Sequence, residues 1–188
     1  MPAALAACAL AVLFTASSAA REPLYGQHFP AAGSVDLAFT PGDDIDLMLS
    51  EAIDSAQTEV LVHAYSFTQR RIARALIRAR ARGVDVRVLA DREQARALPQ
   101  NVLGELSSSG VSVWLDANFA SAHNKVIIID AESPHATTVT GSYNFTLAAQ
   151  RSNAENVLVL RDNPRVAQAY RRNWQRLKSR AVPWQGQP

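Results

Sequence analysis

Four consecutive apolar, β-branched residues at positions 126–129 (Val-Ile-Ile-Ile) constrain the fold of this 188-residue chain more than any other feature. An unbroken apolar run of this length is typical of a strand that is buried on both faces of a sheet. Such a strand needs other elements packed above and below it. The run therefore predicts a central strand in a layered α/β domain.

Strand-like and helix-like segments alternate along most of the chain. Apolar runs and period-two patterns predict strands at residues 34–39, 59–65, 85–90, 111–115, 125–130, 137–140 and 155–160. Apolar residues at helical spacing predict helices at residues 45–53, 69–82, 102–108 and 164–180. This alternation predicts an α/β domain with a mixed, largely parallel central sheet, flanked by helices on both faces.

The two ends of the chain differ from its middle. Residues 1–20 contain no Lys, Arg, Asp or Glu and place small residues after an apolar core, which is the order of a signal peptide and its cleavage site. This pattern predicts a periplasmic or secreted protein without a stable membrane anchor after cleavage; an apolar N-terminal helix or a misplaced start codon is the alternative. Residues 21–33 are interpreted as a leader, residues 34–180 as the globular domain and residues 181–188 as a tail.

Cysteine and lysine usage narrow the chemistry. The single cysteine, Cys8, lies in the predicted signal peptide, so a mature chain has no intrachain disulfide and no cysteine-ligated zinc. Among the 19 Lys and Arg residues, only Lys125 and Lys178 are lysine. In a chain that uses arginine by default, a lysine at the start of a buried strand indicates a specific role.

Polar residues collect at the ends of neighbouring predicted strands. His123 and Lys125 are two positions apart, so an extended backbone places both on one face. Ser142 and Asn144 share the same relation just after the strand at 137–140, and Glu155 begins the next strand. A hydroxyl, a carboxamide and an ammonium that converge beside an imidazole are suited to hold the oxygens of a phosphate group.

These residues form the pattern H-x-K-x4-D, which ends at Asp130, followed by G-S-x-N at residues 141–144 and then by Glu155. This order resembles the catalytic signature of the phospholipase D superfamily. Further segments, such as Ala-Tyr-Ser-Phe-Thr at residues 64–68, are similar to the small periplasmic bacterial endonucleases of that superfamily. The similarity covers residues 34–178 and implies a phospholipase D-like fold and a phosphodiesterase.

The resemblance also implies a covalent mechanism that needs two histidines. One histidine attacks phosphorus and forms a phosphohistidine, and a second protonates the leaving oxygen and then activates water. This chain carries one copy of the motif. Two chains are therefore expected to form a symmetric homodimer, in which both His123 side chains face one phosphorus across the two-fold axis.

The remaining motif residues receive supporting roles from the same resemblance. Lys125, Ser142 and Asn144 would hold the non-bridging oxygens, and Glu155 would hydrogen-bond an imidazole and fix its tautomer. Asp130 is placed in the catalytic set as a supporting residue at the end of the strand. We expect no cofactor and no metal, because no cysteine, His-x-x-x-His pattern or carboxylate cluster accompanies the motif.

Several residues outside the motif bear on the substrate. Arg151, shortly after the motif, is the expected substrate contact, and Phe119 and Trp114 are candidates for stacking a base, although Trp114 serves equally well as sheet core. The arginines spaced four apart within residues 70–82 are interpreted as the solvated face of a helix rather than a phosphate-tracking surface. His63 is interpreted as a satisfied core histidine rather than a third catalytic one.

The predicted function is therefore a metal-independent endonuclease of relaxed sequence preference that acts on DNA or RNA. The first alternative is a phospholipid head-group hydrolase, which would need an apolar, membrane-facing entrance that the sequence does not reveal. The second alternative is a catalytically inactive nucleic-acid-binding module, and the intact motif argues against it.

Overall fold

The structure is a computed structural model that describes residues 26–186. The predicted signal peptide at residues 1–20 lies outside this part of the chain and stays a prediction. Among the residues described, no helix has both the length and the apolar character to cross a membrane.

Residues 26–186 form eight strands and six helices. The strands are β1 (Ser34–Thr40), β2 (Glu59–Ala64), β3 (Asp85–Asp91), β4 (Ser112–Asp116), β5 (Lys125–Ile129), β6 (Thr137–Gly141), β7 (Glu155–Arg161) and β8 (Val182–Pro183). The helices are α1 (Ile45–Asp54), α2 (Arg70–Ala81), α3 (Arg92–Ala97), α4 (Leu103–Ser108), α5 (Leu147–Arg151) and α6 (Pro164–Lys178). Every predicted strand and helix is present. The additional elements α3, α5 and β8 are too short to produce a periodic pattern.

All eight strands belong to one sheet, in the order β1-β7-β6-β5-β2-β3-β4-β8. Strand β5 lies between β6 and β2, and all of its residues are buried, as the apolar run predicts. The pairs β2–β3 and β3–β4 are parallel, whereas the other pairs are antiparallel. The mixed α/β sheet is confirmed, but fewer of its strand pairs are parallel than the sequence predicts. The short loop at residues 130–136 is one reason, because a parallel β5–β6 pair would need a longer crossover.

Helices cover both faces of this sheet, which confirms the predicted layers. On one face, α1, α2 and α4 pack over alternating strand residues such as Val60 and Val62. On the other face, α6 places Trp174 and Leu177 against residues such as Leu61. The indole Nε1 of Trp174 also donates to the carbonyl of Val62 at 2.9 Å, so a buried hydrogen bond fixes the position of α6.

The face under α6 continues beyond the helix onto β7 and β1. Helix α6 contacts β2, β4, β5 and β6, and within the described residues it leaves the two outer strands largely uncovered. Val35, Leu37 and Phe39 of β1 lie on this open face and are 54%, 60% and 55% exposed. Leu37 is directly opposite Leu158 of β7. We call this surface the β1–β7 apolar face. Its exposed apolar side chains make it a candidate interaction surface.

The opposite edge of the sheet extends beyond the predicted end of the domain at residue 180. Val182 and Pro183 of β8 pair with Leu115 and Trp114 of β4. The backbone N–H of Trp184 then donates to the carbonyl of Val113 at 2.9 Å. The segment predicted as a tail, residues 181–188, therefore begins inside the sheet.

Candidate active site

His123 and Lys125 meet at the amino end of β5. Lys125 is the first residue of the strand and is only 6% exposed. Its Nζ lies 2.9 Å from Nδ1 of His123 and donates to the carbonyl oxygen of His123 at 2.9 Å. The central strand thus holds a buried ammonium directly against the imidazole. A rigid strand positions reactive groups more precisely than a loop does.

The ammonium determines where the imidazole carries its proton. A charged lysine can only donate, so Nδ1 of His123 accepts, and this hydrogen bond assigns the proton of the neutral ring to Nε2. Burial lowers the pKa of Lys125, while the carboxylate of Glu155 acts in the opposite direction. Nucleophilic attack by Nε2 needs the proton on Nδ1, and proton donation to a leaving group needs an imidazolium with protons on both nitrogens, so either role requires a change from this arrangement.

Tyr65 supports both groups, and the sequence analysis missed it as a site residue. Its ring centroid lies 4.4 Å from that of His123, at an interplanar angle of 59°, and 4.9 Å from Nζ of Lys125. Its backbone N–H donates to the carbonyl of Asn124 at 2.9 Å. The available signal was its position directly after the buried strand β2, because functional side chains collect at the carboxyl ends of strands.

Ser142 and Glu155 form a second cluster at the same end of the strands as His123, where β6 ends and β7 begins. The hydroxyl of Ser142 donates to Oε2 of Glu155 at 2.6 Å and accepts from the backbone N–H of Asn156 at 3.0 Å. The other oxygen of Glu155 accepts from Nδ2 of Asn153 at 3.0 Å. In the described part of a single chain, Glu155 therefore holds the serine and makes no hydrogen bond to His123, which differs from the role predicted for it.

The glycine of G-S-x-N has a steric explanation. Gly141 adopts a φ of 155°, and a Cβ at this position would collide with the carbonyl oxygen of Asn156 on β7. Strands β6 and β7 therefore approach closely at this point, which only glycine permits. The close approach brings Ser142, the next residue, against Glu155.

Asn144, the last residue of this motif, has an incompletely paired side chain. Its Oδ1 is buried and has no hydrogen-bond partner among the described residues. An unpaired buried polar atom costs free energy and calls for an explanation such as a missing ligand. Rotation of the amide would direct Nδ2–H into the same space, so Asn144 is able to donate to a phosphate oxygen.

Asp130 lies at the opposite end of β5 and does not contact the site. Its carboxylate accepts from the backbone N–H groups of Gln57, Thr58 and Glu59 at 2.8–2.9 Å. Burial alone would raise the pKa of Asp130, but these hydrogen bonds and one from the Thr58 hydroxyl lower it below its ordinary value. Asp130 therefore supports the fold by tying the end of β5 to the start of β2, and its inclusion in the catalytic set is corrected.

The two aromatic candidates occupy different environments. Trp114 lies in β4 under α6, with its ring 6.4 Å from that of Trp174 and 4.3 Å from Nζ of Lys178. It therefore belongs to the sheet core and not to the site around His123. Phe119 is 50% exposed in the segment between β4 and β5 that leads to His123. Phe119 alone thus keeps a position compatible with stacking a base.

Arg151 and several arginines of α2 lie among acidic side chains. Arg151 ends α5 and lines a surface depression together with Asp43, Asp44 and Asp46, whose carboxylates would repel a phosphate. Along α2, several arginines are paired with acidic side chains; Arg78, for example, donates to Asp54 at 2.6 Å. The pairing agrees with the interpretation of α2 as a solvated helix face.

His63 is buried in β2 on the α6 face, as expected for a core histidine, but it is not satisfied. It is 3% exposed, and its Nε2 has no hydrogen-bond partner among the described residues. Burial lowers the pKa of His63 to about 4, although the carboxylates of Asp116 and Asp91 act in the opposite direction. His63 is therefore neutral at physiological pH.

This shift predicts a pH-dependent stability. In the unfolded chain His63 binds a proton near its ordinary pKa of 6.5, whereas in the folded chain it does so only near 4. The unfolded state binds more protons between these values, so the free energy of unfolding falls as the pH falls through this window. Between about pH 7 and about pH 4.5, the protonation of His63 should lower the free energy of unfolding of the wild-type protein by about 2 kcal/mol. The His63→Phe variant should lack this part of the decrease. Urea unfolding at both pH values measures the free energy of unfolding. The control is His28→Ala, because His28 is exposed, and this variant should show the same decrease as the wild type. Equal decreases in the His63 and His28 variants would contradict the prediction.

Together these groups are suited to anionic phosphoryl chemistry. The ammonium of Lys125, the hydroxyl of Ser142 and the amide of Asn144 are able to hold oxygens, while the imidazole of His123 is able to attack or to transfer a proton. Among residues 26–186, no group of three or more His, Cys, Asp or Glu side chains is arranged to hold a metal ion. Lys125 contributes an ammonium to the cluster around His123.

Comparison with known proteins assigns the family. Residues 49–178 match the family model described as "Cardiolipin synthase, PLD-like domain". The chain belongs to the phospholipase D superfamily. It is 40% identical over 146 residues to "Phospholipase D" of Rickettsia bellii, an alignment that covers 78% of this chain and 70% of that protein. The chain is thus a phosphodiesterase of this superfamily, with the motif residues placed as described above.

Solved structures of other proteins share the fold of this chain. A phospholipase D family member, Nuc from Salmonella typhimurium, superposes with a TM-score of 0.75 at 34% identity, covering 81% of this chain and 99% of that one. NucT from Helicobacter pylori superposes with a TM-score of 0.72 at 26% identity, covering 80% of this chain and 99% of that one. These similarities confirm the phospholipase D-like fold that the motif predicts.

Proposed function

We propose that this chain is a metal-independent endonuclease of relaxed sequence preference that cleaves through a phosphohistidine on His123. The observation that carries the proposal is the 2.9 Å contact between the buried ammonium of Lys125 and the imidazole of His123. A fixed ammonium neutralises the charge of a phosphodiester, the part that metal ions play in other phosphodiesterases. Ser142 and Asn144 lie at the same end of the sheet to bind the remaining oxygens.

The reaction would proceed in two displacements. Nε2 of one His123 attacks phosphorus and the bond to the leaving alcohol breaks, while a second imidazole gives that alcohol its proton. Water then attacks the phosphohistidine with the second imidazole as base, the phosphorus–nitrogen bond breaks, and His123 is regenerated. The two rings need different protonation states: the nucleophile is a neutral ring with its proton on Nδ1, and the acid is an imidazolium with protons on both nitrogens.

The second imidazole is proposed to come from a second copy of the chain. The motif occurs once per chain, so a monomer would lack either the nucleophile or the acid. A two-fold axis through the site supplies both roles from the same residue. In the dimer, the carboxylate of Glu155 from either copy would release the hydroxyl of Ser142 and accept a hydrogen bond from Nδ1–H of the nucleophilic ring.

The β1–β7 apolar face is the proposed surface for this second copy. At the carboxyl end of β1, Phe39 is opposite Asn156 and Thr40 is opposite Glu155 of β7, so the face reaches the residues that hold Ser142. Burial of Val35, Leu37 and Phe39 against another chain would remove three large apolar side chains from water. The alternative occupants are a lipid surface and residues 1–25 of the same chain.

A phospholipid head-group hydrolase is the second candidate function. The names "Phospholipase D" of the Rickettsia bellii relative and "Cardiolipin synthase" of the family model favour it, and the β1–β7 apolar face would offer a lipid contact. The sequence similarity to small bacterial endonucleases and a polar groove beside Asn144 favour nucleic acid. The predicted signal peptide supports a periplasmic or secreted location for either activity.

Digestion in the presence of excess EDTA tests the proposal. The wild-type protein should cleave plasmid DNA or single-stranded RNA at an undiminished rate with the chelator, because lysine replaces the metal. Vesicles containing phosphatidylglycerol should release no head groups under the same conditions. Head-group release without nucleic-acid cleavage would establish the lipid function instead. Cleavage that EDTA abolishes and Mg²⁺ restores would overturn the metal-independent mechanism, and binding without any turnover would indicate an inactive module.

A further inference from the structure

A groove with a volume of about 600 Å³ opens beside Asn144, at the end of the sheet that carries the candidate active site. This volume falls within the range of about 300–1,000 Å³ that is typical of small-ligand sites. Eight of its eleven lining residues are polar, and none of the eleven is Asp or Glu. The groove is thus compatible with an anionic, hydrogen-bonding ligand adjacent to the reacting phosphate.

Hydrogen bonds between distant segments pre-form this groove. The hydroxyl of Ser66 donates to Oε1 of Gln94 at 2.7 Å, and the backbone N–H of Gln94 is held by Asp91 at 2.8 Å. The backbone N–H groups of Thr68 and Gln69 both donate to the carbonyl of Phe145 at 2.9 Å, which ties this wall to the segment carrying Asn144. The lining side chains therefore keep fixed positions relative to the site.

Two lining side chains have unused hydrogen-bonding capacity. Arg70 and Gln100 are both exposed. In the described part of the chain, neither side chain makes an ion pair or a hydrogen bond to another residue. Arg71, the next residue, is by contrast held by Asp46 at 2.6 Å. A guanidinium and a carboxamide without protein partners are available to a ligand in the groove.

We propose that the groove binds the nucleoside on one side of the scissile phosphodiester, which rests on the proposed nuclease function. Leu98 and Leu147 would contact the faces of the base, and the carboxamide of Gln100 would bind its edge. Arg70 would bind the next phosphate along the strand. Contact with one base and its neighbouring phosphate provides affinity while tolerating most sequences.

The chemistry of the lining disfavours an acyl chain in the same place. A lipid tail would leave the side chains of Arg70 and Gln100 without partners while excluding water from them, which costs free energy for each group. A nucleoside offers donors and acceptors on its base and sugar for the same groups. The groove therefore adds a preference for nucleic acid to a site that by itself recognises only a phosphodiester.

The inference is tested by comparing a polymeric with a minimal substrate, both in EDTA. The variant Arg70→Gln/Gln100→Ala should lose about tenfold in kcat/KM on a single-stranded DNA oligonucleotide, because both contacts are lost. Its hydrolysis of bis(4-nitrophenyl) phosphate should stay within about twofold, since that substrate does not fill the groove. Arg74→Gln is the matched control, because Arg74 is exposed one turn further along α2 and outside the groove.

The outcomes separate this inference from the proposed function. If the wild-type protein cleaves the oligonucleotide and the double variant retains its rate, the groove does not bind the nucleoside and the nuclease proposal stands. If both substrates lose activity equally, the residues act on the reacting centre and the inference is wrong. If the wild-type protein hydrolyses bis(4-nitrophenyl) phosphate but cleaves neither DNA nor RNA, both proposals are overturned.

Discussion

Replacement of His123 by alanine should reduce nucleic-acid cleavage in EDTA by at least about 1,000-fold, because the variant loses the nucleophile and the acid together. Initial rates on an oligonucleotide with a fluorescent label provide the measurement. His135→Ala is the matched control, since His135 has a side chain that is 84% exposed and bonds to Asp162 away from the site. A residual rate within tenfold of the wild type would exclude His123 as the nucleophile.

Mixing the two proteins tests the shared site more directly. A dimer with one His123 retains either the nucleophile or the acid and should be inactive. After subunit exchange with an equal amount of His123→Ala chains, half of the wild-type chains lie in mixed dimers, so activity per wild-type chain should fall to about one half. A self-sufficient monomer would show no change on mixing, and that result would rule out the shared site.

Replacement of Leu37 by aspartate should convert the protein to a monomer and lower cleavage at least about 100-fold at equal concentration. A charge in the centre of the β1–β7 apolar face could be buried only at a high desolvation cost. The monomeric fold should survive, because Leu37 is 60% exposed on an edge strand. Sedimentation velocity and thermal unfolding measure the two properties separately.

The matched control is Val182→Asp, which introduces the same charge at an apolar residue that is 49% exposed on the opposite edge of the sheet. This variant should remain dimeric and active. A Leu37→Asp protein that stays dimeric would place the interface elsewhere. A monomeric Leu37→Asp protein with full activity would remove the need for a second copy. Loss of vesicle binding without a change in oligomeric state would assign the face to lipid.

Local sequence patterns predict the strands and helices well, because the pattern of each element depends on which of its own side chains are buried. The apolar run at residues 126–129 identified the central strand, and spacing alone placed Lys125 beside His123. The pairing of strands was harder to predict. Nothing near residues 34–40 indicates that β1 pairs antiparallel with β7, more than a hundred residues later in the chain. Such pairing depends on the whole sheet rather than on any one segment.

The parts of the site that the sequence did not reveal are those built from several segments. The groove beside Asn144 combines residues 66–70, 94–100 and 144–148, and no local pattern relates them. Tyr65 faces His123 because β2 and β5 run side by side in opposite directions. The Glu155–Ser142 contact likewise depends on the close approach at Gly141. The motif was visible in the sequence, whereas its surroundings required the topology.

The carboxylate at the far end of β5 has a consequence for the geometry of catalysis. A strand that slides by one residue turns every side chain to the opposite face. Asp130 accepts from three successive amides, two just before β2 and one at its first residue, which favours one alignment of β2 and β5. In that alignment Tyr65 lies beside Asn124, and its ring contacts that of His123. The aspartate thus fixes, from the opposite end of β5, the position of the imidazole relative to the ring of Tyr65.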